Sequence, residues 1–175
     1  MGKFSEGLLN DKTIITNLDI CVGQTILDAG CGNGYMAKKF STLVGNTGKI
    51  LALDPDEGSI TNLKKEIGKT NIEAFVGDIT KPTKLKTSSV DLVYLSTVFH
   101  IFSESQIDDF VTEVKRILKP NAQLAVVNIQ KEDTPFGPPI EIRSSPEELR
   151  QKISLTPKKL IEVGEYFYMQ VFENT

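Results

Sequence analysis

The sequence predicts an α/β protein, a doubly wound and mostly parallel sheet closed by a C-terminal antiparallel hairpin. Apolar, β-branched runs alternate with segments of helical period along most of the chain, which is the pattern of parallel strands joined by crossover helices. A loop with three glycines in five residues, GCGNG, follows the first of those runs. The last segment, KLIEVGEYFYMQVFENT, switches to two-residue alternation on either side of Gly164.

The elements follow in order. Thr25 to Leu27 reads as the first strand, running into Asp28 and the glycines, and Tyr35 to Leu43 as the helix after them. Lys49 to Leu53 is the second strand, Ser59 to Ile67 the next helix, and Ile72 to Val76 a weaker strand. The following crossover, TKPTKLKTSS, carries Pro82 and little periodicity, so a loop is expected there. Val90 to Leu95 is a strand, and Ser105 to Leu118 a helix with Ile107, Phe110, Val111, Val114, Ile117 and Leu118 on one stripe. After the strand Gln123 to Ile129, Pro135, Gly137, Pro138 and Pro139 predict no regular structure until a helix opens at Pro146. Leu160 to Val163 and Tyr166 to Phe172 form the closing hairpin.

With 175 residues and 39% apolar content, one domain over 1–175 is expected. The net charge of −3, from 20 basic and 23 acidic residues, supplies no field for a phosphate backbone, so no nucleic acid partner is expected. Cys21 and Cys31 have neither metal-ligand nor disulfide-scaffold spacing, so no metal is expected and a reducing, cytoplasmic setting fits. The first residues lack the apolar core of a signal peptide, and no apolar run approaches the roughly 18 residues of a membrane span. Assembly is expected to stop at a monomer or homodimer.

In an open parallel sheet the ligand lies at the carboxyl ends of the strands, where the first glycine-rich turn sits. A dinucleotide fingerprint, G-x-G-x-x-G, would put its third glycine at position 35, which is Tyr35. The spacing present is G-x-G-x-G.

That spacing, in LDAGCGNG, resembles the first motif of the class I S-adenosylmethionine-dependent methyltransferases. The resemblance continues through LALD, FVGDI, DLVYLSTVFHIF and VKRILKPNAQLAVV, and covers roughly residues 13 to 175. Asn121 stands where the family has glycine, and asparagine tolerates a left-handed turn. Within the superfamily the GPPIEIRSSPEEL stretch and the ending look similar to the small methyltransferases near the ubiquinone and menaquinone biosynthesis enzymes. The resemblance implies a Rossmann-like fold and S-adenosylmethionine as cofactor.

It further implies roles residue by residue. Gly30, Cys31, Gly32 and Gly34 would cradle the cofactor, with Asp28 at its amino-acid end, Asp54 and Pro55 at the ribose, Asp78 and Ile79 at the adenine, and Ser96 beyond the fourth strand. A small, apolar or amphipathic molecule would be the methyl acceptor. By their placement at the carboxyl ends of the strands, and not by the resemblance, His100 would take its proton and Phe102, Phe136, Glu141 and Arg143 would bind it. Residues 1–20 would form a lid, its Phe4 to Ile15 part roofing the acceptor pocket, and 131–145 a proline-rich wall.

Plainer readings stand beside these. The glycines could make only a tight turn, Asp28 could cap the helix after them, and Asp54 and Asp78 could serve their own turns. Cys31 and Tyr94 could be packing residues, His100 a hydrogen-bonded structural one, and Glu141 with Arg143 an exposed ion pair. Among other functions, a non-catalytic cofactor-binding module would keep the same motifs. Aminopropyl transfer would need carboxylates that YLSTVFHIF lacks, and arsenite methylation needs more cysteines than two.

Overall fold

The computed structural model describes residues 6–175; the first five residues of the expected lid, Phe4 among them, lie outside the described residues. Along the chain come α1 (Asp11–Asn17), β1 (Thr25–Ala29), α2 (Tyr35–Val44), β2 (Lys49–Asp54), α3 (Glu57–Ile67) and β3 (Ile72–Val76). Then follow β4 (Val90–Ser96), a 3₁₀ turn at Phe99–Ile101, α4 (Glu104–Ile117), β5 (Leu118–Ile129), a second 3₁₀ turn at Ile140–Ile142, α5 (Pro146–Lys152), β6 (Thr156–Gly164) and β7 (Phe167–Glu173). The strands form one sheet in the order β3-β2-β1-β4-β5-β7-β6. The first five strands by position are parallel, and β7 runs antiparallel to both β5 and β6.

Side chains alternate across the strands, so the sheet has two apolar faces, each covered by helices. On one face Ile26, Ile50 and Tyr94 pack under α1, α2 and α3; on the other Leu27, Val93 and Leu124 pack under α4 and α5. The strand order reverses between β1 and β4, which places the switch point beside the glycine loop.

The crossover from β3 to β4 is irregular, as its sequence predicts, and a side chain replaces the missing helix. Glu113 of α4, almost fully buried, accepts from the Thr83 N–H at 2.8 Å and from the Thr83 hydroxyl at 2.6 Å, and pairs with Arg116. Burial opposes its charge, but the hydrogen bonds from Arg116 and Thr83 prevail and hold its pKa below the usual range.

Several boundaries differ from expectation. A helix, α1, occupies residues with β-branched side chains, because Asn10 accepts from the Thr13 N–H and caps it while Ile14 is buried against the core. β5 starts five residues early, at Leu118: Asn174 at the end of β7 donates to the Leu118 carbonyl and accepts from the Asn121 N–H, holding the proline-containing stretch extended. Asn121 has φ +64°, the left-handed turn expected of it. β6 starts at Thr156, and Pro157 is tolerated because β6 is the edge strand. The proline-rich loop contains the 3₁₀ turn at Ile140–Ile142 where no regular structure was expected.

The turn between β6 and β7 gathers two neighbours. The Asn10 N–H donates to the Val163 carbonyl at 2.7 Å, and Gly164 lies so close to the Leu8 carbonyl that a Cβ there would come within 2.5 Å of its oxygen. From the other side the Gln130 N–H donates to the Tyr166 carbonyl at 2.7 Å, and Phe136 packs edge-on against Tyr166 and stacks on Phe167.

Candidate active site

The loop after β1 turns back on itself through left-handed residues: Gly30, Gly32 and Gly34 have φ of +72°, +52° and +78°. A side chain at two of them would also have nowhere to go, since a Cβ on Gly30 would stand 2.8 Å from Val98 Cγ2 and one on Gly34 2.5 Å from Leu63 Cδ1. The loop is pinned to the end of β2, where the Gly30 and Cys31 N–H groups both donate to the Leu53 carbonyl.

Asp54 completes that pinning. One of its carboxylate oxygens accepts from the Gly32 N–H and the other from the Asp56 N–H, both at 2.8 Å, so the side chain serves its own turn and the glycine loop together. Each oxygen keeps a second lone pair for a ligand. Pro55 beside it is exposed, and Asp56 caps α3 through the Ser59 N–H. At the end of β3, Asp78 accepts through one oxygen from the N–H and hydroxyl of Thr80, at 2.9 and 2.7 Å. Ile79 turns its side chain into the core under α4.

Asp28 is the chemically distinctive group. Burial pushes its pKa from 3.8 to about 7, a hydrogen bond from the Ala37 backbone opposes the rise, and the charge of Asp54 adds to it. The adjoining Cys31 thiol is pushed up as well, by burial and then by Asp28 and Asp54, which leaves it an unreactive packed group.

A small cleft of about 50 Å³ opens over these strand ends. Its floor is formed by Asp28, Gly30, Cys31, Tyr94 and Ser96, and Glu6, Leu9 and Asp11 of the N-terminal segment roof it. The roof is clasped to the glycine loop: Asn33 donates to Glu6 at 2.6 Å and the Tyr35 hydroxyl donates to Asp11. Tyr35, which occupies the place of a third dinucleotide glycine, thereby ties α1 down.

Two hydroxyls in the floor, Tyr94 Oη and Ser96 Oγ, are buried without a hydrogen-bond partner. Tyr94 also packs edge-on against Phe40, as the packing reading expects. The sequence reading did not name Tyr94 or Asn33 as cleft residues, whereas Glu6 and Asp11 fall in the segment it expected as a roof. Register would have found Tyr94, because it is the direct cross-strand partner of Asp28.

The residues expected on the acceptor side do not line this cleft. Phe102 packs into an aromatic cluster with Phe99 and Phe110 under α4, and Phe136 lies on Tyr166 and Phe167. Glu141 is exposed. The exposed Glu141–Arg143 pair does not form: Arg143 is buried and its guanidinium donates to the carbonyls of Gln130, Glu132, Phe136 and Pro138 and to the Thr134 hydroxyl. A planar five-donor group fits such a ring of oxygens, and its donors are committed to shaping the loop. His100 lies half-buried beside it; burial and then the Arg143 charge lower its pKa, so the imidazole is neutral near pH 7. Among the described residues no helix is long and apolar enough to cross a membrane.

Residues 26–121, more than half of the chain, match the methyltransferase domain family. The chain is 35% identical over 82 residues to a protein-L-isoaspartate O-methyltransferase of Methanococcus maripaludis, covering 45% of this chain and 38% of that one. It is 29% identical over 112 residues to the ubiquinone/menaquinone biosynthesis C-methyltransferase UbiE of Escherichia coli, covering 62% of this chain and 44% of that one. The chain thus spans less than half the length of either relative. A crystal structure of a SAM-dependent methyltransferase from Aquifex aeolicus superposes with a TM-score of 0.88 at 27% identity, covering 98% of this chain and 93% of that one.

Proposed function

The chain belongs to the methyltransferase domain family, and from that premise we propose that it is an S-adenosylmethionine-dependent methyltransferase acting on a small, apolar or amphipathic acceptor. The observation that carries the reading is the left-handed glycine cradle with Asp28 at the end of β1 and Asp54 at the end of β2. Such a cradle offers close backbone approach without phosphate-binding cations, which suits a nucleoside sulfonium better than a pyrophosphate.

When bound, S-adenosylmethionine supplies a methyl group on a positively charged sulfur. Asp54, with its remaining lone pairs, accepts from the two ribose hydroxyls. Asp78 keeps one oxygen outside its turn for the adenine amino group, and the Ile79 backbone reads the ring edge. Asp28 takes the cationic amino-acid end, and the nearby positive charge favours its ionised form. Transfer from sulfur discharges the donor, so alignment and exclusion of water contribute more than acid or base work, and the clasped roof serves both.

On the acceptor side, His100 is the proton acceptor, kept neutral by burial and by Arg143. Arg143 acts through the loop it shapes and through His100, as a positioning residue. Phe102 and Phe136 give the apolar walls and Glu141 the polar rim. The free thiols at Cys21 and Cys31 suit a reducing, cytoplasmic setting.

Isothermal calorimetry with S-adenosylmethionine, S-adenosylhomocysteine and NAD tests the reading. The two sulfur nucleosides are expected to bind and NAD weakly or not at all; NAD binding of equal affinity would overturn it. A thermal-shift screen of small metabolites in the presence of S-adenosylhomocysteine then identifies the acceptor.

A further inference from the structure

The sequence joins asparagine to glycine once, at Asn33-Gly34, and the fold sets that pair inside the glycine loop with the roof fastened to it. Asparagine before glycine is the pairing in which a chain most readily attacks itself. The following backbone nitrogen reaches the side-chain Cγ, and glycine has no Cβ to obstruct the approach.

Asn33 is only partly covered, so solvent reaches it, yet in the clasped molecule both reacting groups are held. Its Nδ2 donates to Glu6 at 2.6 Å and its Oδ1 accepts from the Tyr35 N–H at 3.1 Å, which fixes both ends of the carboxamide. The Gly34 N–H donates to the Cys31 carbonyl at 2.8 Å, so the nitrogen that would attack keeps its proton and is directed elsewhere. Of these three bonds only the one to Glu6 comes from the roof. Within residues 6–17 only Ile14 is buried, and segments with so few buried side chains open locally before a core does.

We propose that Asn33 is a deamidation site guarded by the roof, and that its modification unfastens the roof for good. When the roof lifts, the Gly34 nitrogen gives its proton to solvent hydroxide and attacks Asn33 Cγ. The N–Cγ bond forms, the Cγ–Nδ2 bond breaks, and the departing nitrogen takes a proton from water and leaves as ammonia. Water then opens the cyclic imide at either carbonyl, leaving aspartate or, with the backbone rerouted through Cβ, isoaspartate. The new carboxylate has no N–H for Glu6 and repels it. In isoaspartate the added backbone carbon also falls between Gly32 and Gly34, which are both left-handed, and Gly34 has no room against Leu63. The inference stands apart from the methyltransferase reading, since it needs only the loop and the roof.

Parent, Glu6→Ala and Glu6→Gln are incubated folded in mildly alkaline buffer, with a synthetic peptide of residues 28–38 alongside. Mass spectrometry of the digests then follows asparagine, aspartate and isoaspartate at position 33. Modification tracks the open population, and loss of a bond to a charged acceptor predicts about tenfold faster conversion in Glu6→Ala than in the parent. Glu6→Gln keeps an acceptor oxygen and is expected between the two, which keeps the test decisive if Glu6→Ala folds poorly. Equal rates in parent and variants would overturn the guard. An Asn33 that stays intact in all of them while the peptide converts would overturn the site. Asn33→Asp, made directly, tests the consequence: trypsin should cut after Lys12 about tenfold faster than in the parent, and parent-like resistance would overturn the unfastening.

Discussion

Replacing Asp28 by asparagine should stabilise the free protein and disable it. The folded state raises the Asp28 pKa from 3.8 to about 7, so it holds a proton that the unfolded chain gives up. Below pH 3.8 both states are protonated and the group contributes no difference. As pH rises toward 7 the unfolded state loses its proton first, folding is disfavoured by about 1.4 kcal/mol per pH unit, and the penalty levels off above the folded pKa. The full penalty is about 4 kcal/mol, of which about 2 kcal/mol accrues between pH 5 and 7. Asparagine has nearly the same shape and no proton to lose, so the variant should gain on the parent by that amount over that interval and by nothing more from pH 7.5 to 9. The chain has no tryptophan, so urea unfolding is followed by far-UV circular dichroism, in buffers from pH 5 to 9. Taking the difference between variant and parent at each pH cancels the titration of His100 and the surface carboxylates. Calorimetry on the same samples should show S-adenosylhomocysteine affinity reduced at least about tenfold, by the loss of a charge-assisted bond. A stability difference that stays flat from pH 5 to 7 would refute the assignment of a proton-holding carboxyl in the floor of the site.

Asp54→Ala should weaken cofactor binding by about 2 to 4 kcal/mol and more than Asp78→Ala, since it strands two ribose donors and also releases the Gly32 N–H; parent-like affinity would rule out the ribose role. His100→Gln should lower turnover by about 100-fold while cofactor affinity stays within about threefold, as for a base acting in the chemical step. Because burial and Arg143 lower the His100 pKa, the parent's acid limb should fall below pH 6.5 and vanish in the variant. Gly34→Ala combines a left-handed backbone with a Cβ 2.5 Å from Leu63 Cδ1, and should cost about 2 to 4 kcal/mol in urea unfolding; a loss below about 1 kcal/mol would show that α3 yields easily.

What the sequence made legible was local. The parallel core follows from runs whose burial is written into consecutive residues, and the turn of the loop after β1 from a glycine motif in which backbone conformation and residue type are tied together. What it hid depends on distant partners. α1 is a short segment with poor intrinsic propensity that holds through a cap and through docking. The start of β5 is set by Asn174, more than fifty residues away, and Arg143 is buried because the loop supplies carbonyl oxygens that no spacing rule reveals. Tyr94 looked like packing because it is packing on one edge of its ring; the other edge depends on which strand pairs with β1.

The turn between β6 and β7 has a consequence for how this site diversifies. Val163 holds the roof and Tyr166 the start of the proline loop through their carbonyls, and Gly164 between them leaves room for the Leu8 backbone. The two walls are therefore hung from a single hinge pin. On the proposed function, insertions in 131–135 would change the acceptor wall and leave the roof in place. A residue added at the pin shifts both at once, and a larger residue at Gly164 pushes directly on the Leu8 backbone. Variation in acceptor range among chains built this way should accordingly collect in the proline loop and spare the pin.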